Sequence, residues 1–334
     1  MPIEKKTLFQ TKEGEALSVT LRLSSKTAQD LFTVELMNIG AGIRRIERAS
    51  AGGSTELLTL SYADPSAYLT NGSLAGLTIG PNAGRIPAEN GLAANEGGNQ
   101  LHGGPHHLAA RLWELESLSE NGEGPCASFV TEQADGLDGW PGNRRYRVTY
   151  TLSSPGILTI RYEATTDRPS YINMTNHTYW RMEGLSALFI RADSVCVNDE
   201  SFLPVRISDA ASFFTSLSPS LRPLSAHPAY GREIPFELPL NNGFILTKEG
   251  TSLQPAACLA YRDKKPVSVF TDAPALVAYT GDYLDGETLL LDKSRSFPRV
   301  ALALEAQDMP TLLPKKLTTE KEPFSRTIQY HLSC

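Results

Sequence analysis

The sequence predicts an all-β protein: one large antiparallel β-sandwich domain over residues 1–334. Three observations predict it. Short β-branched and aromatic segments recur along the chain, glycine- and asparagine-rich clusters punctuate them, and no long segment carries the helical period. In chain order the strand candidates are residues 16–23 (ALSVTLRL), 32–36 (FTVEL), 146–152 (YRVTYTL), 157–162 (ILTIRY) and 266–270 (PVSVF), several alternating with period two. Turn candidates are residues 51–54 (AGGS), 96–99 (EGGN) and 241–243 (NNG). The pair Asn242-Gly243, flanked by Leu240 and Phe244, reads as a hairpin turn. Residues 63–69 allow one short helical turn, with Asp64 as its cap and Pro65 at its first position. The 22 prolines and 26 glycines are spread evenly, with no linker and no visible repeat. All-β sandwiches run beyond about 200 residues as single domains, which favours one domain here.

Composition narrows the function. With 334 residues, 41% of them hydrophobic, the chain has material for a large core. A net charge of −6 argues against nucleic acid or an anionic membrane as partner. The basic pairs Arg44-Arg45, Arg144-Arg145, Lys264-Lys265 and Lys315-Lys316 are dispersed and read as solvated surface. No run approaches the roughly 20 apolar residues of a membrane helix, and the first residues lack a signal-peptide core. Cys126, Cys196, Cys258 and Cys334 show no CxxC spacing, so the reading is reduced thiols in a cytoplasmic protein.

Two histidines stand in unlike, non-periodic settings. His102 precedes Gly103 and Gly104; His177 lies among Asn173, Thr175, Asn176 and Thr178, groups able to orient an imidazole. Glu305 closes the apolar run at residues 300–304 (VALAL), where a strand-end carboxylate can be partly desolvated and its pKa raised. Two imidazoles and a carboxylate suffice to move protons on and off a neutral substrate. Taken singly, each is more often an ordinary structural residue. Arg85, inside a glycine-containing stretch, reads equally as a loop ion pair or as a fork for sugar hydroxyls or a carboxylate.

Competing chemistries have less support. His102 and His106 stand four apart, but the intervening Gly103-Gly104-Pro105 is not helical, so no metal site is expected. No phosphate-binding or dinucleotide-binding glycine pattern occurs, and no cofactor is expected. The GxSxG elbow of serine hydrolases is missing, while a paired-carboxylate glycosidase stays open on composition.

Several stretches together resemble the aldose 1-epimerase (galactose mutarotase) family. They are residues 38–43 (NIGAGI), 77–86 (LTIGPNAGRI), 99–105 (NQLHGGP), 111–113 (RLW), 138–142 (DGWPG), 173–179 (NMTNHTY), 279–281 (YTG) and 304–305 (LE). They follow the family's order and span roughly residues 38 to 305. The resemblance implies a large antiparallel sandwich that binds a monosaccharide in an open cleft and interconverts the α and β anomers of a free aldose such as galactose or glucose. It further implies Glu305 as general base, His177 as general acid at the ring oxygen, His102 as assisting or holding the sugar, and Arg85 as binding hydroxyls. One position departs from the pattern. Where the family has an aspartate that binds sugar hydroxyls, this chain has Asn241, with Glu237 a few residues earlier as a possible substitute. Residues 308–310 (DMP) also stand where an aromatic–proline pair is usual. The alternatives are an epimerase of a phosphorylated or unusual sugar, and a non-catalytic sugar-binding protein.

Overall fold

Alternation of apolar and polar residues in the strands builds three large antiparallel sheets, with three two-stranded ones beside them among the described residues. The computed structural model describes residues 2–24, 30–50, 53–218, 225–248 and 250–332. A five-stranded meander opens the chain, running Ile3–Thr11, Gly14–Ser24, Asp30–Met37, Gly42–Ser50 and Thr55–Leu57. A ten-stranded sheet has Phe324–His331, Ile157–Thr166, Arg144–Ser153 and Gly124–Gln133 as consecutive neighbours. A six-stranded sheet is ordered Tyr179–Arg181, Ala301–Gln307, Ala275–Tyr279, Asn241–Leu246, Ala192–Asn198, Pro204–Asp209.

One face of the ten-stranded sheet makes the core. In Arg144–Ser153 every second residue from Arg144 to Leu152 is buried, and Leu158, Ile160, Tyr162 and Ala164 repeat the pattern in the next strand. Apart from Arg144, these side chains join one apolar cluster with Val19, Leu21 and Phe32 of the five-stranded sheet and with Leu276, Leu302 and Leu304 of the six-stranded sheet. The broad sheet therefore packs against both others, as the sheets of a sandwich do. Burial of each such Val, Leu, Ile or Phe stabilises the fold by about 1.5–3 kcal/mol.

All five expected strands are present: four lie inside Gly14–Ser24, Asp30–Met37, Arg144–Ser153 and Ile157–Thr166, and the fifth starts one residue later than expected, as Val267–Thr271. The turn at residues 96–99 is present, with Gly97 and Gly98 in the left-handed region. Ala51 and Gly52, of the turn expected at 51–54, lie outside the described residues. Three local expectations are corrected. Asn242-Gly243 is not a turn: both lie inside the strand Asn241–Leu246, where Gly243 faces Met309, and a Cβ on it would sit 2.6 Å from the Met309 methyl. Glycine in a strand here marks a close approach, not a reversal. The short helix is Ala67–Thr70 with Ser66 at its N-cap, and Asp64 accepts from the Ser66 N–H and hydroxyl in the turn that leads into it. The helix Ala210–Leu217, capped by Asp209, was not expected.

The third correction concerns the basic pairs. Arg145 is half exposed and Lys316 is exposed, but Arg144 is buried. Strand alternation turns Arg144 inward, where its guanidinium donates to the carbonyls of Ala134, Trp140, Pro141 and Gly142 and to the Tyr146 hydroxyl. It therefore ties the loop at residues 134–142 to the sheet. Replacing it leaves several buried carbonyls without donors, each costing about 1–3 kcal/mol. Arg144→Met is expected to lower the urea unfolding free energy by about 3–5 kcal/mol, and Arg145→Met by less than about 1 kcal/mol. Equal effects of the two would contradict this reading.

Candidate active site

The floor of the site is one face of the six-stranded sheet. In Ala301–Gln307 all seven residues are buried. Leu302, Leu304 and Ala306 point into the main core, whereas Glu305 and Gln307 line a cleft of about 460 Å³ on the opposite face. Register extends this face sideways: Val277 pairs with Glu305, Gly243 with Val277, and Asn241 with Tyr279, and all of them line the cleft. Glu305 thus sits within the strand rather than at its end, which corrects the expectation. Period-two alternation and exact pairing, not proximity in sequence, collect these residues.

The walls come from loops. His102 has a φ of 54°, and Gly103 after it a φ of 97°. A Cβ on Gly103 would lie 2.3 Å from the Gly80 carbonyl oxygen, so only glycine allows this approach. The His102 N–H donates to the Gly84 carbonyl at 3.1 Å, and the Gly84 N–H approaches His102 Nδ1 at 3.4 Å. Trp140 Nε1 donates to the Gly103 carbonyl at 3.1 Å and pins the loop from behind. His177 follows the two-residue strand Thr175–Asn176, and its backbone bonds Leu77 and Gly76. Its amide-rich neighbours do not hold the ring, contrary to expectation. Asn176 bonds Thr178 and the Gly76 carbonyl, Asn173 bonds Asn82, Arg326 and the Asp308 N–H, and His177 Nδ1 is buried without a partner.

The structure brings all five expected residues to one cleft: His177, Glu305, His102, Arg85 and Asn241 line it together. His177 Nε2 stands 3.6 Å from Glu305 Oε1, close for charges but long for a hydrogen bond. The His102 and His177 rings meet edge to face at 5.4 Å. Burial pushes the Glu305 carboxyl above its ordinary value of 4.5, with His177 offsetting part of the effect. Burial, with His177 as a smaller cause, holds the His102 imidazole well below its ordinary 6.5, so this ring is neutral near pH 7. Because the Gly84 N–H can only donate, Nδ1 is the unprotonated nitrogen and Nε2 carries the proton.

Arg85 shows both of its predicted faces: it lines the cleft and pairs with Glu96 at 2.6 Å. The Asn241 carbonyl accepts from Asn198 Nδ2 at 2.6 Å. Glu237, the suggested substitute, is not among the lining residues. His106 instead pairs with Asp138 at 2.8 Å. Sequence reasoning missed Gln307, Asn198, Phe202 and Tyr283. Gln307 was findable as the next residue but one after Glu305 on a strand; the others join the cleft only through tertiary packing.

The fold and site are those of a wide antiparallel sandwich carrying a buried carboxylate–imidazole pair on an open sheet face. Comparison with known proteins makes this specific. The aldose 1-epimerase family model matches residues 23–318, and the chain belongs to that family of isomerases of carbohydrate metabolism. It is 29% identical over 274 residues to the aldose 1-epimerase of Escherichia coli K12, covering 76% of this chain and 77% of that protein. Its identity to the galactose mutarotase of Sus scrofa is 28% over 328 residues, 91% of this chain and 92% of that one. The fold matches the crystal structure of galactose 1-epimerase from Lactobacillus acidophilus NCFM with a TM-score of 0.79 at 23% identity, covering 98% and 97% of the two chains. An aldose epimerase homologue from C. elegans matches with a TM-score of 0.75 at 23% identity, covering 94% and 98%.

The raised value at Glu305 has a consequence for stability. The folded protein holds this proton more tightly than the unfolded chain does. The stability linked to it is full below about pH 4.5 and is lost as pH rises through the raised value. Glu305→Gln is therefore expected to exceed the parent in stability by about 0.5–2 kcal/mol at pH 7.5, with the gain vanishing near pH 4. Urea denaturation at the two pH values checks this, and a variant less stable at pH 7.5 would refute it.

Proposed function

We propose that this protein is an aldose 1-epimerase that interconverts the α and β anomers of free galactose or glucose by acid–base ring opening. The observation that carries the reading is the buried Glu305 carboxylate 3.6 Å from His177 Nε2 in an open cleft. A carboxylate whose pKa is raised is, when ionised, a stronger base. Glu305 takes the proton of the anomeric hydroxyl, and the C1–O5 bond breaks as His177 delivers a proton to the ring oxygen. The products are an aldehyde and a hydroxyl within one neutral open-chain sugar. Rotation about C1–C2 turns the other carbonyl face to the hydroxyl, and the ring closes with both transfers reversed. His102 donates from Nε2 to a sugar oxygen, and Arg85 and Asn241 hold hydroxyls. Acid and base each contribute about 10²–10⁴-fold.

Arg85 is the one lysine or arginine lining the cleft among the described residues, and Glu96 already engages it. This favours an unphosphorylated sugar, since a phosphate calls for several converging cations. We place the protein in the cytoplasm, where buried thiols such as Cys126, Cys196 and Cys258 stay reduced. Residues 1–334 act as one domain in this reading, supported by an apolar cluster that draws on residues from Leu17 to Leu332. No helix among the described residues is long and apolar enough to cross a membrane.

Polarimetry of freshly dissolved α-D-galactose and α-D-glucose in a weakly catalytic buffer tests the proposal. Catalytic amounts of protein should speed the approach to equilibrium. Glu305→Gln should lose about 10²–10⁴-fold in kcat while calorimetry still detects sugar binding. Because the base must be ionised, kcat/KM should fall on the acid side with an inflection above 4.5. A parent that binds sugar without accelerating exchange would instead be a sugar-binding protein. Asn241→Asp restores a charge-assisted acceptor, roughly twice as strong per bond, and is expected to lower KM about fivefold with kcat unchanged. An unchanged or raised KM in the same assay would remove Asn241 from the substrate contacts.

A further inference from the structure

One buried cation of the ten-stranded sheet reaches two sides of the cleft without lining it. Arg326 lies in the strand Phe324–His331, where alternation turns it inward with Ile328 and Tyr330. Its side chain is 6% exposed, and it is not among the residues that line the cleft. Nη2 donates to Asp308 Oδ1 at 2.5 Å; Nη1 donates to Asn173 Oδ1 at 2.8 Å and to the Met174 carbonyl at 3.4 Å. The guanidinium lies 5.3 Å from the Phe324 ring. Buried ion pairs are often no more stabilising than apolar packing, so what this one contributes is fixed geometry.

Its two partners belong to different parts of the site. Asp308 directly follows the strand Ala301–Gln307 that carries Glu305, and it lines the cleft. It stands in the 308–310 segment, where this chain departs from the family pattern. Its N–H donates to the same Asn173 Oδ1 at 2.8 Å, and the Tyr171 hydroxyl donates to its Oδ2 at 3.3 Å. Two donors on Oδ1 fix the Asn173 amide, so Nδ2 is the atom turned to Asn82 Oδ1, at 3.2 Å. The Asn173 backbone bonds the Pro81 carbonyl and the Ala83 N–H at 2.7 and 2.8 Å. Next along that loop is Gly84, whose carbonyl and N–H hold His102 at 3.1 and 3.4 Å. One guanidinium thus joins the strand of the base to the loop that seats His102.

We propose that Arg326 is a positioning residue: through Asp308 and Asn173 it sets the placement of Glu305 relative to His102 and keeps His102 in one tautomer. The part of this that concerns rate rests on the epimerase reading above. Arg326 touches no sugar, so its loss misplaces reacting groups and removes no substrate contact. Glutamine is too short and uncharged to bridge both acceptors, and lysine offers a point charge without the planar fork.

Arg48 supplies the control. It is equally buried at 6%, pairs with Glu56 at 2.7 Å and donates to the carbonyls of Lys265 and Leu332, and it does not line the cleft. Arg48→Gln and Arg326→Gln should lose comparable stability to urea, since each removes one partner of a buried pair. Only Arg326→Gln should lose rate. By polarimetry its kcat should fall about 10–100-fold with KM within about threefold, and Arg326→Lys should recover part of the loss. Arg48→Gln should keep kcat within about twofold. Nitrogen NMR of the imidazoles gives a readout that needs no turnover, with the His102 signals assigned by their loss in His102→Gln. Near pH 7.5 the parent and Arg48→Gln should show His102 protonated on Nε2 alone, and Arg326→Gln a mixture of both tautomers. An unchanged kcat in Arg326→Gln, or equal kcat losses in the two glutamine variants, overturns the proposal. So does a His102 tautomer that is mixed in the parent or unaltered in Arg326→Gln. If the parent accelerates neither sugar, the epimerase reading falls and the tautomer by itself decides the role of Arg326. Should Arg326→Gln fail to fold, Arg326→Lys carries the same comparisons.

Discussion

The arrangement depends on keeping the Glu305 carboxylate out of water without burying it alone. Removing an ion from water costs several kcal/mol unless its surroundings compensate. Here compensation is partial: His177 Nε2 is 3.6 Å away, and Glu305 Oε2 is buried without a hydrogen-bond partner. An incompletely satisfied carboxylate is a poor structural element and a good base. Only a rigid strand with apolar support can hold it so, and Leu302, Leu304 and Ala306 give that support by packing on the ten-stranded sheet.

The six-stranded sheet therefore has two unlike faces. One is core, shared with Tyr150, Tyr162 and Tyr330 of the broad sheet. The other is the cleft floor, where Glu305, Gln307, Val277, Tyr279, Asn241 and Gly243 lie side by side by register alone. A slip of one residue in the Ala301–Gln307 strand would send Glu305 into the core and a leucine into the cleft. The rows of apolar partners on the core face specify the register, so the packing that stabilises the sandwich also positions the base.

The histidine walls use a different device. Loops cannot draw on register, so they are fixed by backbone bonds and by absent side chains. Gly103 lies against Gly80, and Gly84 against Gln307, whose Oε1 would be 2.9 Å from an added Cβ. The amides of Asn173 and Asn176 serve loop carbonyls and N–H groups, leaving the His177 ring free on its Nδ1 side. Rigidity comes from the backbone network, while the rings meet each other and the ligand space.

Much of this was legible in the sequence, because period-two alternation is a local property. Residues 146–152 and 157–162 declare their strands, and the histidine, glutamate and Arg85 candidates stand in stretches that together identify the family, from which Asn241 departs. What the sequence misread depended on partners far along the chain. Asn242-Gly243 has the composition of a turn, yet its pairing with Val277 and Ala278 and the seat of Met309 keep it in a strand. Arg144 reads as surface charge until the loop carbonyls at residues 134–142 fold over it. Phe202 and Tyr283 carry no local signal; two loops that meet only in the folded chain bring them together. Side-chain identity and spacing were enough to reveal the β class, several strands and the chemical inventory. Tertiary structure alone decided which groups lose water and which face each other, because desolvation and register are set by residues distant in sequence.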